Sequence, residues 1–166
     1  MTTAAIYLYF ESKTALYKAT VRDAYEELLP RYIVAARAPS LRDGFRAVLA
    51  ASAPLHGTDP SLAAFFSALP LEMRRHPELA DVIRDEGSEV VGLFARLVEM
   101  GVEGGEISAS AAPQVLSMFL ACVLGLSVYI TAIDGSQFNS IIAAFSALID
   151  GSLFKPGKNV CLPRKR

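Results

Sequence analysis

The sequence predicts an all-α protein, and three observations carry that expectation. Proline and glycine cut the chain into stretches long enough for helices, the apolar residues within them recur at helical spacing, and no stretch shows convincing period-two alternation. Of 166 residues, 52% are hydrophobic and 20% charged, which requires a large buried surface and excludes a disordered chain. The length suits one single-core domain, or a small domain with a medium one. A net charge of −1 gives no global sign of a nucleic-acid binder, so any DNA contact must come from a local patch.

A short helix from about Thr3 to Tyr9 opens the chain, followed by a two-residue joint. Ser12 is a competent N-cap for a long helix from Lys13 to about Ala38, with Leu16, Tyr17, Val21, Tyr25, Leu28 and Leu29 as its apolar stripe. Pro30 is expected to kink or interrupt it, since proline removes a backbone bond and clashes with the preceding turn. Ser40 caps the next helix, with Asp43 completing a weak box; Leu41, Phe45, Val48 and Leu49 are its apolar face, and it ends near Pro54. After the loop from His56 to Pro60, a short helix capped by Asp59 runs through Phe65 and Phe66 to about Leu69, and 70–75 adds another helical turn.

Pro77 suits the first position of the next long helix, and Glu78 complements its dipole. Leu79, Val82, Ile83, Val90, Leu93, Phe94, Leu97 and Val98 form the buried stripe; the helix stops near Gly101, and 104–107 form the turn. Ser108 or Ser110 caps a helix that ends at Asp134-Gly135, and within it 115–133 carry no charge over nineteen residues. That span is long enough to cross a bilayer. Ser117, Ser127 and Thr131 interrupt it, and flanking Lys, Arg and Trp are missing, so the expectation is a helix buried on all sides within protein and no membrane partner. A last helix from Ser136 to about Leu153 carries Phe138, Ile141, Ile142, Phe145, Leu148 and Ile149, ahead of a basic tail over 155–166 that is expected to fray.

The chain carries no recognisable catalytic constellation. Its two histidines, His56 and His76, are far apart, and no metal-protease, nucleophile-elbow or phosphate-loop motif occurs. Ser152 and Lys155 match an SxxK spacing without the partner motifs, and Glu86, Glu89 and Glu99 read as a solvated helix face. Cys122 and Cys161 lack metal or disulfide spacing and read as free thiols in a reducing cytosol. No signal peptide opens the chain. The expectation is a cytoplasmic protein that is not an enzyme, with no catalytic residues, cofactor or metal.

The first seventeen residues are more specific. Thr2, Ile6, Tyr7, Tyr9, Phe10, Ser12, Lys13 and Leu16 fit the run Ser/Thr-x-x-x-Leu/Ile-Tyr-x-His/Tyr-Phe-x-Ser/Asn-Lys-x-x-Leu. That run resembles the end of the DNA-binding domain of TetR/AcrR-family bacterial transcriptional regulators, where the recognition helix meets the helix after it. The Arg74-Arg75-His76-Pro77-Glu78-Leu79 run, the long helix closed by Gly105-Glu106-Ile107 and two apolar helices also resemble the family's layout.

The resemblance implies an all-α fold in which a remnant of a helix-turn-helix domain over 1–17 precedes a ligand-binding and dimerisation bundle over 18–154 and the tail. It implies phosphate contacts for Thr2, Tyr9 and Lys13, groove contacts for Thr3, Ala4 and Tyr7, and a small core of Ile6, Phe10 and Leu16. Hydroxyls at a recognition helix's N-terminal end, phenols and a lysine opening the next helix are groups able to hold phosphate or touch bases.

The family places two more helices before this point, and a valine usually stands where Met1 is. Met1 is therefore expected to be an internal valine codon of a longer reading frame, a reading that an in-frame stop directly upstream would sink. The chain as written is expected to bind operator DNA weakly or not at all; sub-micromolar specific binding in a gel shift would contradict this.

No Lys or Arg occurs between Arg96 and Lys155, and charge depletion over two adjacent helices is the mark of a dimer interface. A two-fold pair of such hairpins makes a four-helix bundle, placing Leu116, Leu120, Val123, Leu124, Ser127, Ile141, Phe145 and Leu148 across the homodimer. TetR-like bundles also hold a small-molecule pocket, for which Phe45, Phe65, Phe66, Met73, Phe94, Met118 and Cys122 are the candidates. The shortage of charged candidates favours an apolar, neutral or hydrogen-bonding effector. The expected function is a ligand-responsive dimeric regulator of operator DNA, a repressor; the alternative is a stand-alone helical ligand-binding or dimerisation module without DNA contact.

Overall fold

The computed structural model describes residues 9–52, 60–129 and 132–154. These contain six α-helices: α1 Lys13–Ala35, α2 Leu41–Ala51, α3 Pro60–Arg75, α4 Pro77–Glu103, α5 Ala112–Tyr129 and α6 Gly135–Ile149. A 3-10 turn, Ala109–Ala111, leads into α5, and no strand occurs among the described residues. The all-α expectation holds. The short helix expected over Thr3 to Tyr9, the Asp59 cap, and the basic tail lie outside the described residues or largely so.

Local chemistry explains where the helices start. Ser12 Oγ accepts from the Ala15 N–H at 3.0 Å, and Ser40 Oγ accepts from the Asp43 N–H at 3.1 Å. Asp134, not Ser136, begins α6: its carboxylate accepts from the Ser136 and Gln137 N–H groups, while the Gln137 side chain accepts from the Asp134 N–H at 3.1 Å. This reciprocal box satisfies donors that the first turn leaves open. Ser108 makes no side-chain cap to the turn that follows it.

Neither internal proline ends its helix. Helix α1 runs through Pro30 and α3 runs through Pro70, so 60–75 form one helix rather than two pieces. Each proline is exposed. A proline in the helix interior removes one bond to the carbonyl four residues back. For Pro30 that carbonyl belongs to exposed Glu26, where water can replace the missing donor.

Helix α4 is the axis of the bundle, packing against α1, α2, α3 and α5. Its buried residues Leu79, Ile83, Val90, Leu93, Phe94, Leu97 and Val98 form most of the expected stripe; Val82 is only half-buried. At the centre, the Phe45 and Phe119 rings stack at 3.7 Å, Phe119 meets Phe94 at 4.5 Å, and Phe94 meets Tyr32 at 5.4 Å. Four helices are joined through these rings, and aromatic pairs add about 1 kcal/mol each beyond the area they bury.

The turn after α4 anchors a second element. Gly105 takes a φ of 72°, a left-handed conformation that suits glycine, and brings Glu106 to the start of α2. There the Glu106 carboxylate accepts from the Leu41 N–H at 2.7 Å and the Arg42 N–H at 3.2 Å. A carboxylate from a distant turn thus caps a helix end that also favours negative charge by its dipole.

Helix α5 differs from expectation. Its inner side, with Phe119, Val123 and Leu126, is buried against α3 and α4. Yet only 17% of its most apolar window is buried within the chain, so the expected all-round burial is not supplied by this chain alone. By length and composition the span Ala109–Tyr129 could also cross a membrane.

Candidate functional site

A cavity of about 350 Å³ lies among α1, α3, α4 and α5. Tyr25, Leu28 and Tyr32 reach it from α1, and Phe66, Leu69, Pro70 and Met73 from α3. Ile83, Arg84, Gly87, Val90, Val91 and Phe94 come from α4, and Leu120, Val123, Leu124 and Ser127 from α5. Pro70, Arg84, Val91 and Leu124 are exposed and mark its open side, while Leu28, Tyr32, Phe94 and Val123 are buried at its inner wall. The size is within the range of small-molecule sites, which are typically concave and mostly apolar with a few placed polar groups.

The polar groups come chiefly from α1. Tyr32 is buried with its hydroxyl 3.3 Å from Ser52 Oγ, and Tyr25 packs edge-on against Phe66 with ring centroids 5.2 Å apart. Burial pushes both phenols above the ordinary tyrosine range, with each other's proximity adding to the shift of Tyr25. Both are therefore neutral hydroxyls at physiological pH.

Gly87 explains how Tyr25 is seated. A Cβ at Gly87 would stand 2.8 Å from the Tyr25 hydroxyl oxygen and 3.2 Å from Cζ. A glycine in mid-helix costs about 1 kcal/mol relative to alanine, and here it leaves space for the end of the phenol. Sequence reasoning placed Tyr25 on the apolar stripe and missed its place in the cavity; Gly87 within α4 was the available signal.

Of the residues expected to bind ligand, the structure brings Phe66, Met73 and Phe94 together at the cavity. Phe45 instead stacks on Phe119, and Phe65 turns towards Tyr17 with ring centroids 6.2 Å apart. Met118 is 54% exposed on the outer side of α5, and Cys122 is half-buried on α5 away from the cavity, a free thiol whose pKa burial raises. The helical period explains the split: residues one or two positions apart on α3 and α5 point to different sides.

The residues expected at a dimer interface also divide. Leu124 and Leu148 are exposed, each 48%. Leu116, Leu120, Ser127, Ile141 and Phe145 are half-buried, and Val123 is buried. Val123 therefore belongs to the inner wall, and Leu120, Leu124 and Ser127 also line the cavity. Exposed Met118, Ala121, Gly125, Val128 and Tyr129 complete an uncharged outer side of α5 that sequence reasoning assigned by composition but not by face.

At the front of the chain, Tyr9 is 79% exposed and Lys13 is exposed at the start of α1. Thr2, Thr3, Ala4 and Tyr7 lie outside the described residues. Elsewhere, Glu86 is not simply solvated: Arg22 donates to it from Nε at 3.1 Å and Nη2 at 2.9 Å, tying α1 to α4.

Residues 41–153 match the family described as the C-terminal domain of BetI-type transcriptional repressors. That span is more than half of the chain and covers α2 through α6. The chain belongs to the TetR family of transcriptional regulators. No curated protein and no solved structure matches it. In this TetR-family regulator, the helix that begins with Lys13, α1, enters the bundle and carries Tyr25, Leu28 and Tyr32 to the cavity.

Proposed function

We propose that this regulator is a ligand-responsive repressor that binds operator DNA as a homodimer, with its effector in the cavity among α1, α3, α4 and α5. The observation that carries the reading is the sharing of α1. Tyr25 lies twelve residues beyond Lys13 on one unbroken helix, roughly 18 Å at the helical rise. A ligand that favours one position of Tyr25 and Tyr32 biases the orientation of α1 and hence of the segment before it. Differential contact of that kind is what couples two sites.

In this reading residues 1–17 belong to the DNA-binding part, with Thr2, Tyr9 and Lys13 on phosphates and Thr3, Ala4 and Tyr7 in the groove. Residues 18–154 form the ligand-binding and dimerisation part, and 155–166 a basic tail. The uncharged outer sides of α5 and α6, including Met118, Leu124 and Leu148, pair with a second copy. Desolvating such a side against itself exploits apolar area without burying a charge.

The test is a gel shift on DNA adjoining the gene, using this chain and a form extended upstream in its reading frame. The extended form is expected to retard the DNA, and Lys13→Ala to weaken binding similarly across sequences while reducing the salt slope by about 1. An unchanged salt slope would remove the phosphate role of Lys13. Failure of the extended form to retard any such DNA at micromolar concentration would overturn the operator-binding reading.

A further inference from the structure

The few polar groups of the cavity restrict what it can hold. Among its described lining residues there is no carboxylate, and the only guanidinium, Arg84, is exposed at the rim and paired with Asp81 at 2.6 Å. An ionised ligand group in the interior would meet no opposite charge among those lining residues, since the Arg31 guanidinium near Tyr32 lies outside the lining and is paired with Glu27 at 3.1 Å, and burying an unpaired ion carries a severe cost. Of the three hydroxyls, Tyr32 pairs with Ser52, and Ser127 donates to the Val123 carbonyl at 2.9 Å. The Tyr25 hydroxyl has no hydrogen-bond partner among the described residues, although burial keeps it neutral. A donor is therefore left open at the side of an apolar cavity, against the bare backbone of Gly87.

We propose that the cavity selects an uncharged, largely apolar molecule bearing one hydrogen-bond acceptor, such as a ketone or ester carbonyl, and that the Tyr25 phenol donates to it. The assignment rests on the cavity being the effector site. It adds the class of ligand and the anchoring residue. Leaving the phenol unmatched against a pure hydrocarbon forfeits its hydrogen bond, whereas a carbonyl restores it.

Four naphthalene probes of similar shape test this by calorimetric titration: acetylnaphthalene, isopropylnaphthalene, naphthoate and naphthylmethyl-trimethylammonium. The ketone is expected to bind the protein about tenfold more tightly than the hydrocarbon, with both ions weaker still. In Tyr25→Phe the ketone should fall to the level of the hydrocarbon, whose own affinity stays unchanged. Gly87→Ala crowds the phenol without altering the ring and should lower the ketone preference too, which keeps the test available if Tyr25→Phe fails to fold. Equal binding of ketone and hydrocarbon, a preference that survives Tyr25→Phe, or tighter binding of either ion would overturn the proposal. Binding of none of the four would overturn the effector-pocket reading with it, whereas hydrocarbon binding without ketone preference overturns this proposal and leaves the effector-pocket reading standing.

Discussion

Helices α4 and α5 both bury large apolar side chains, yet they are covered in different ways. Helix α4 turns its apolar stripe inward and its carboxylates outward, and neighbours on several sides bury Leu79 through Val98. Helix α5 buries Phe119, Val123 and Leu126 and leaves Met118, Leu124, Val128 and Tyr129 exposed. Amphipathicity tells which side of a helix its own chain will cover. Apolarity on every side says only that more cover is needed, and in this reading a second copy supplies it.

Replacing a core ring of α4 should have the largest effect. Phe94 is 1% exposed and touches both Tyr32 and Phe119, so Phe94→Ala is expected to cost about 3–5 kcal/mol by urea unfolding. A loss near 1 kcal/mol would show that α4 is not the packed axis. On the other helix, Leu124→Asp should leave the helical circular dichroism intact while weakening self-association by about 2 kcal/mol or more, read by size-exclusion chromatography across a dilution series. Similar loss of folding in both variants would erase the contrast between the two helices.

Much of the fold was legible because the signals were local. Ser12, Ser40, Pro77 and the spacing of the α4 stripe each act within a turn or two of the chain, and each ended where expected. Pro70 was misjudged as a break and Pro30 does not interrupt α1, because whether a helix continues through a proline depends on the packing and solvent around it, which is a tertiary fact. The site was less legible. Phe66, Met73 and Phe94, chosen by residue type, line the cavity, whereas Phe45 and Phe65 share that type and face elsewhere, and Tyr25 was placed only as a stripe residue. Glu106 is the clearest case of a long-range role. It sits sixty-five residues from the helix end it caps, and no local pattern pairs the two.

That cap defines a smaller prediction. Glu106→Ala removes two charge-assisted hydrogen bonds from the start of α2 and should cost about 1–2 kcal/mol in urea unfolding. Glu106→Gln should recover part of it. A neutral result for Glu106→Ala would mean that water caps α2 equally well.

The smallest effect concerns alkaline pH. Tyr25 and Tyr32 have folded-state pKa values raised by burial, so their neutral forms are favoured in the folded chain. Their contribution is fully present below the ordinary tyrosine value of 10.0 and is lost as pH rises through the raised folded values. Unfolding midpoints should therefore be flat from these groups at neutral pH and decline above that value, less steeply in Tyr25→Phe. A decline of equal slope in that variant would place the alkaline sensitivity elsewhere.

The most direct measurement of the contrast between α4 and α5 is sedimentation equilibrium of the unaltered chain at micromolar concentration. A second copy covering the uncharged side of α5 predicts twice the mass of one chain, persisting as the protein is diluted through that range. A single-chain mass throughout would contradict it and leave the outer side of α5 without the cover assigned to it.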